Sequence, residues 1–242
     1  MNKAFTLAEV LITLGIIGVV AALTMPSLIQ KHKEKELAVG IRKLYADINN
    51  ALRLSQVESD GDIDYSTVFN PNNTNYESAI AFAKYFNGAK VCKDRNACKD
   101  LYHRIKYSKR YVAGTGKAVD SNLGNPAIIL NNGAMLYISQ TTSPDCNADV
   151  PNAIKHDSQG NILYDENGKP QTYYYRDRVC ALIYFDVNGP KPPNRFGQDA
   201  SRLIIEKTQI KPSAQPYEGV ETLKNILAGN DKFIYEDYAV GE

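Results

Sequence analysis

The stretch Phe5–Ile29, FTLAEVLITLGIIGVVAALTMPSLI, decides how the rest of the chain is read. It is 25 residues long and carries one ionisable side chain, Glu9. As an α-helix rising about 1.5 Å per residue it extends roughly 37 Å, enough to cross a hydrocarbon layer of about 30 Å. The run is too long and too uniformly apolar for a buried core helix. A cleaved secretory signal is one rival, since Lys3 precedes the run and Val20-Ala21-Ala22 is an acceptable small-residue cleavage site. A plain membrane anchor is another. Neither gives Glu9 a task, and a carboxylate at that depth costs several kcal/mol unless it is neutralised or paired.

The charged run Lys31-His32-Lys33-Glu34-Lys35-Glu36 follows, yet helical periodicity does not stop there. Leu37, Ile41, Leu44, Ile48 and Leu52 recur at steps of four, three, four and four, which is one apolar stripe. Lys35, Arg42, Lys43 and Asp47 lie mostly off it. One helix from Phe5 to about Val57 is therefore expected, apolar all round at first and amphipathic afterwards. The polar stretch Gln56 to Asp64 ends it. A signal peptide needs no such continuation.

Beyond this stalk the chain reads as a folded head. Of 242 residues, 43% are hydrophobic and 23% charged, which excludes bulk disorder. Lys plus Arg is 28 against 27 acids, a net charge of +1, so the chain is not a bulk nucleic-acid binder. Asn70–Asn75 is a turn cluster suited to capping a short helix, Tyr76–Phe86, stopped by Gly88. A second short helix is expected over Ala97–Lys106. Ala127–Leu130 and Ala134–Ile138 flank Asn131-Asn132-Gly133, a hairpin signature because Asn and Gly accept positive φ. Tyr173–Val187 reads as a central strand and Leu203–Ile210 as another. Turns at Asp157–Gly160 and Asp165–Gly168 leave Asn161–Tyr164 as a small hairpin arm. A last helix fits Glu218–Leu227, ended by Gly229. The fold class is α+β, a long N-terminal helix laid on an antiparallel sheet.

Lys3-Ala4-Phe5-Thr6-Leu7-Ala8-Glu9-Val10, followed by the apolar run and Pro26, resembles the N-terminus of type IV pilins and type II secretion pseudopilins. That family has a short basic leader, a small residue, then Phe-Thr-Leu-x-Glu and an apolar helix with a downstream Pro. The resemblance covers about thirty residues, and it departs from the usual pattern in having Ala4 where Gly is commoner. It implies a leader of residues 1–4, cleavage between Ala4 and Phe5, and N-methylation of Phe5. Residues 5–29 become the transmembrane and filament-core helix, 30–57 its amphipathic continuation, and 58–242 a pilin-like head. The implied partners are copies of the chain or other pilins, a prepilin peptidase, and an inner-membrane assembly platform with its ATPase. Before assembly the chain would span the inner membrane once with its head in the periplasm. Afterwards it would sit in a surface or periplasmic filament.

The resemblance gives Glu9 a task. Cleavage leaves Phe5 with a free amine, and in a filament the carboxylate of one subunit can meet that ammonium on its neighbour, cancelling two charges in an apolar bundle. Ala8, Gly15, Gly18 and Ala22 share a face along which helices can approach closely. Gly15, Gly18 and Pro26 also make the helix easy to bend. The other class of function is a secreted or anchored binding protein with a conventional signal peptide, whose mature chain would begin at Leu23.

Four cysteines allow three pairings. Cys92–Cys98, closing a small loop, and Cys146–Cys180, tying a long loop to the central strand, are expected in an oxidising compartment. A zinc site is disfavoured because no Cys-x-x-Cys occurs and His103 stands alone. Asp186-Val187-Asn188-Gly189, with Asn194, Gly197 and Asp199, reads first as a turn held by Asx hydrogen bonds. Asp186, Asn188 and Asp199 are the sharper reading, candidate Ca²⁺ ligands, though acids are few for that ion. Residues 90–117 hold nine basic side chains with Tyr102, Tyr107 and Tyr111 interleaved, which suits a DNA strand but more often marks a solvated face or a subunit contact. No enzyme motif survives: Gly114-Thr115-Gly116-Lys117-Ala118 lacks the first Gly and the final Ser or Thr of a phosphate loop, and His32, His103 and His156 are scattered.

Overall fold

A computed structural model describes residues 6–57, 63–113, 116–121, 123–141, 146, 148–155, 157 and 162–237. Helix α1 runs unbroken over Leu7–Val57, 51 residues. Its first half is apolar nearly all round and packs on none of the other described residues: the apolar window of that helix is 0% buried. This is one helix long and apolar enough to cross a membrane. The expected stripe then turns inward. Ile41, Leu44, Ile48 and Leu52 are buried together with Ala38, Ala51 and Ser55, the neighbours one turn away on the same face.

The stripe packs on a six-stranded antiparallel sheet. Its strands, in chain order, are β1 (Lys90–Cys92), β4 (Ala127–Ile129), β5 (Met135–Gln140), β8 (Val179–Asp186), β9 (Ala200–Glu206) and β10 (Ile210–Pro212), which is also their order across the sheet. Both edge strands are three residues long. Side chains alternate across the sheet as its period of two requires. Leu136, Ile138, Ile183, Phe185, Leu203 and Ile205 face α1, helix α2 (Asn75–Ala83) and helix α3 (Val220–Leu227). Met135, Tyr137 and Ala200 face a second core with Tyr102, Ile105 and Phe196. Two further ribbons stand beside the sheet, β2 (Ile105–Ala113) with β3 (Gly116–Ser121), and β6 (Ala148–Ile154) with β7 (Thr172–Asp177).

Local chemistry explains several elements. Thr74 accepts from the Glu77 N–H while Glu77 accepts from the Thr74 N–H, a reciprocal cap that starts α2. The Asn131-Asn132-Gly133 turn joins β4 to β5 with Gly133 at φ 87°, and the Leu130 N–H donates to the Ala134 carbonyl at 2.9 Å. Gly219 starts α3 at φ 72°, where a Cβ would stand 2.2 Å from the Gly197 nitrogen, so no larger residue fits. Both expected disulfides form, Cys92–Cys98 and Cys146–Cys180.

Three expectations are corrected. Ala97–Lys106 is not a helix: residues 95–101 form turns, with the Asp94 carboxylate accepting from the Asn96 and Ala97 N–H groups, and Ile105 opens β2. Tyr173–Val187 is two strands that part at Arg178, because β7 pairs with β6 whereas β8 pairs with β5 and β9. Leu203–Ile210 crosses a turn, with β9 ending at Glu206 and β10 folding back against it from Ile210. The small arm does turn at Asp165–Gly168, where Tyr164 bridges Pro170, and Asn161 lies outside the described residues.

Candidate functional site

The first candidate is the start of α1. Ala4 and Phe5 lie outside the described residues. Thr6 caps the helix and Glu9 is its partner: Glu9 Oε2 accepts from the Thr6 N–H and from Thr6 Oγ1, each at 2.8 Å, while the Glu9 N–H donates to Thr6 Oγ1 at 3.3 Å. This Thr-x-x-Glu pattern satisfies otherwise orphaned donors at the helix end and fixes where the carboxylate sits. Sequence reasoning singled out Glu9 but missed Thr6 as its holder, although the three-residue spacing carries that signal.

Gly15 and Gly18 have open space where a Cβ would be, so no neighbour among the described residues explains them. At about 100° per residue, Ala8, Gly15, Gly18 and Ala22 fall within an arc of roughly 80°, and Glu9 lies about 100° to one side of Ala8. The acid and the small-residue face therefore address different directions. The helix passes through Pro26 without interruption, despite the N–H that proline removes from the Ala22 carbonyl. Around it Thr24 Oγ1 donates to the Val20 carbonyl at 2.9 Å and Ser27 Oγ to that of Thr24 at 3.0 Å.

The second candidate lies on the far face of the sheet. Asp186, buried at the end of β8, faces His103 with Oδ2 to Nε2 at 2.9 Å, and His103 Nδ1 sits 3.0 Å from the Leu101 carbonyl. A carbonyl can only accept, so Nδ1 carries a hydrogen; Nε2 carries one as well when the Asp186 carboxylate is ionised, and the ring is then the imidazolium. Burial pulls the His103 pKa down, but the Asp186 hydrogen bond, the Leu101 carbonyl and the Asp186 charge together raise it above the usual histidine value. Burial raises the Asp186 pKa even against its histidine. Asp199 is pushed up to about 7, first by burial and then by the charge of Asp186. The Tyr137 ring stands 6.4 Å from that of His103.

The calcium candidates are arranged as a turn. Asp186 Oδ1 accepts from the Asn188 N–H at 3.1 Å, and the two Asp199 oxygens accept from the Asn194 and Arg195 N–H groups, both at 2.7 Å. Asn188 and Asn194 donate side-chain N–H to the carbonyls of Pro192 and Pro190. Their Oδ1 atoms are buried without a hydrogen-bond partner. Among the described residues no three His, Cys, Asp or Glu gather to hold a metal ion. In the basic stretch Arg104 pairs with Asp120 and Lys109 with Glu221. No family model matches the chain, and no solved structure matches it.

Proposed function

We propose that the chain is a structural subunit, a pilin or pseudopilin, of a type IV pilus or type II secretion pseudopilus. It is cut between Ala4 and Phe5 by a prepilin peptidase and built into a filament by an inner-membrane platform and its ATPase. One observation carries the reading. A lone carboxylate, Glu9, is held at the start of an apolar helix that continues without a break into the head. A conventional signal peptide cut after Ala22 would sever that helix in mid-course, which argues against the secreted or anchored binding protein.

Oε2 of Glu9 is engaged by Thr6, which leaves Oε1 for the freed amine of a neighbouring Phe5. Docking then replaces an unpaired acid in hydrocarbon with a neutral pair, so it favours both association and one register along the filament. Glu9→Val should leave the chain in the membrane while shearing releases few or no filaments. Normal filament yield from that variant removes the assembly role. N-terminal sequencing of the mature chain supplies the second check: Phe5 first supports this reading, and Leu23 first supports a signal peptide.

A further inference from the structure

Outside the first half of α1, exposed large apolar side chains among the described residues form two groups, Leu54 with Val57 at the end of α1 and Ile162, Leu163 and Tyr164 beyond the β6–β7 ribbon, with Ile154 and Tyr173 on the ribbon itself; Val39, Ile63 and Ile80 belong to neither. One is concave. The end of α1, the end of α2 and the β4–β5 turn enclose a groove of about 370 Å³, with Leu54, Tyr85 and Phe86 among its walls. It continues past Leu54 to Val57, which is 76% exposed. The other place protrudes. Among the described residues no other element packs substantially on the β6–β7 ribbon, and beyond it Ile162, Leu163 and Tyr164 are exposed, Tyr164 by 56%.

We propose that this arm of one copy docks into the groove of a second copy. The two surfaces match in charge as well as polarity. Lys43 and Lys84 flank the groove against one lining acid, Asp47, while the arm turns at Asp165-Glu166 directly after Tyr164 and carries Lys169 at the end of that turn, so each surface keeps one net charge, of opposite sign. The Asp165 carboxylate is fixed by the Asn167 and Lys169 N–H groups at 2.8 and 2.9 Å, so the acidic turn is presented in one geometry. Leu163 and Tyr164 supply the aliphatic and aromatic anchors that such pockets take. The arm does not fill the groove of its own chain. Knob and hole sit on different parts of one molecule, so the contact is heterologous, and it propagates along a row of copies where the rotation between them does not close. The proposal rests on the filament reading only in requiring more than one copy.

The test uses the full chain in the membranes of cells producing two differently tagged copies, one carrying a photoactivatable benzophenone residue at position 164. The expected product joins the two tags, with the link mapped by mass spectrometry to a peptide holding Leu54 or Tyr85. A link to another protein, a link elsewhere on the second copy, or no link overturns the proposal. Glu166→Lys on the arm-bearing copy should lower the yield about fivefold, and Lys84→Glu on the other should restore it. Failure to restore also overturns it. Filaments that form without the arm-to-groove link sink the docking and leave the filament standing. If the wild-type chain makes no filaments, the filament reading falls, while the link between membrane-held copies is still read.

Discussion

Helix α1 is one continuous element with two unlike halves. Along Leu7–Ile29 every large apolar side chain is exposed, Leu7 by 80%, whereas along Ala38–Ser55 the stripe on Ile41, Leu44, Ile48 and Leu52 is covered by the head. Propensity does not separate them, since both halves are helical throughout. What differs is who supplies the cover. The second half finds it within the chain. The first half finds none among the described residues, and its exposed apolar side chains are long and uniform enough to cross a membrane.

That contrast can be broken by mutation. Ile48→Ala should cost about 3 kcal/mol of head stability in the detergent-solubilised chain, through lost contacts and the cavity left behind. Leu14→Ala should leave head melting unchanged, because Leu14 touches nothing in the head. Equal losses in the two variants, followed by near-ultraviolet circular dichroism on the tyrosines, would show that the halves are not independent.

Acidity sharpens the same contrast, because the His103–Asp186–Asp199 cluster belongs to the head alone. Asp199 releases its proton near 3.8 when unfolded and near 7 when folded. Its contribution is complete below the first value and lost as pH rises through the second. His103, raised above its ordinary 6.5, has the same sign: its contribution is complete below 6.5 and lost as pH climbs through the folded value. Asp64, Glu77 and Glu206 are all lowered, so they titrate below this interval. Head melting should therefore fall by several degrees between about pH 5 and pH 8. His103→Gln should flatten the slope. A melting point that rises over that range would contradict the protonation assigned to the cluster.

The smallest expected effect lies at the other end of the helix. Thr6→Ala removes the hydroxyl that bonds Glu9, at a cost of about 1 kcal/mol confined to the first turn. Amide exchange at residues 7–10 should quicken while the head is untouched; unchanged exchange there would mean the cap contributes nothing.

How much of this was readable in advance follows from how local each signal is. The stripe on α1, the Asn-Asn-Gly hairpin and the α3 helix rest on neighbours within a few residues, and all three stand in the structure. Both cysteine pairs were also foreseen. The failures are non-local. Ala97–Lys106 has helical composition, but the Asp94 cap and the Cys92–Cys98 bridge hold its first half in turns. Its second half exchanges hydrogen bonds with the loop at Asn194 and Phe196. Tyr173–Val187 carries no mark at Arg178 to show that its two parts choose different partners. At the candidate site, Glu9 stood out as a charge among apolar residues. His103 and Asp186 are 83 positions apart, and nothing in the spacing of either announces the other.

The two rims of the main sheet bear on how such a molecule multiplies. Each is a strand of only three residues, and one of them ends in Pro212, which has no N–H to offer. A neighbouring backbone finds almost nothing there to extend. Growth by ribbon recruitment, the route to amyloid-like stacks, is discouraged at both margins, so copies crowded together resist fusing edge to edge.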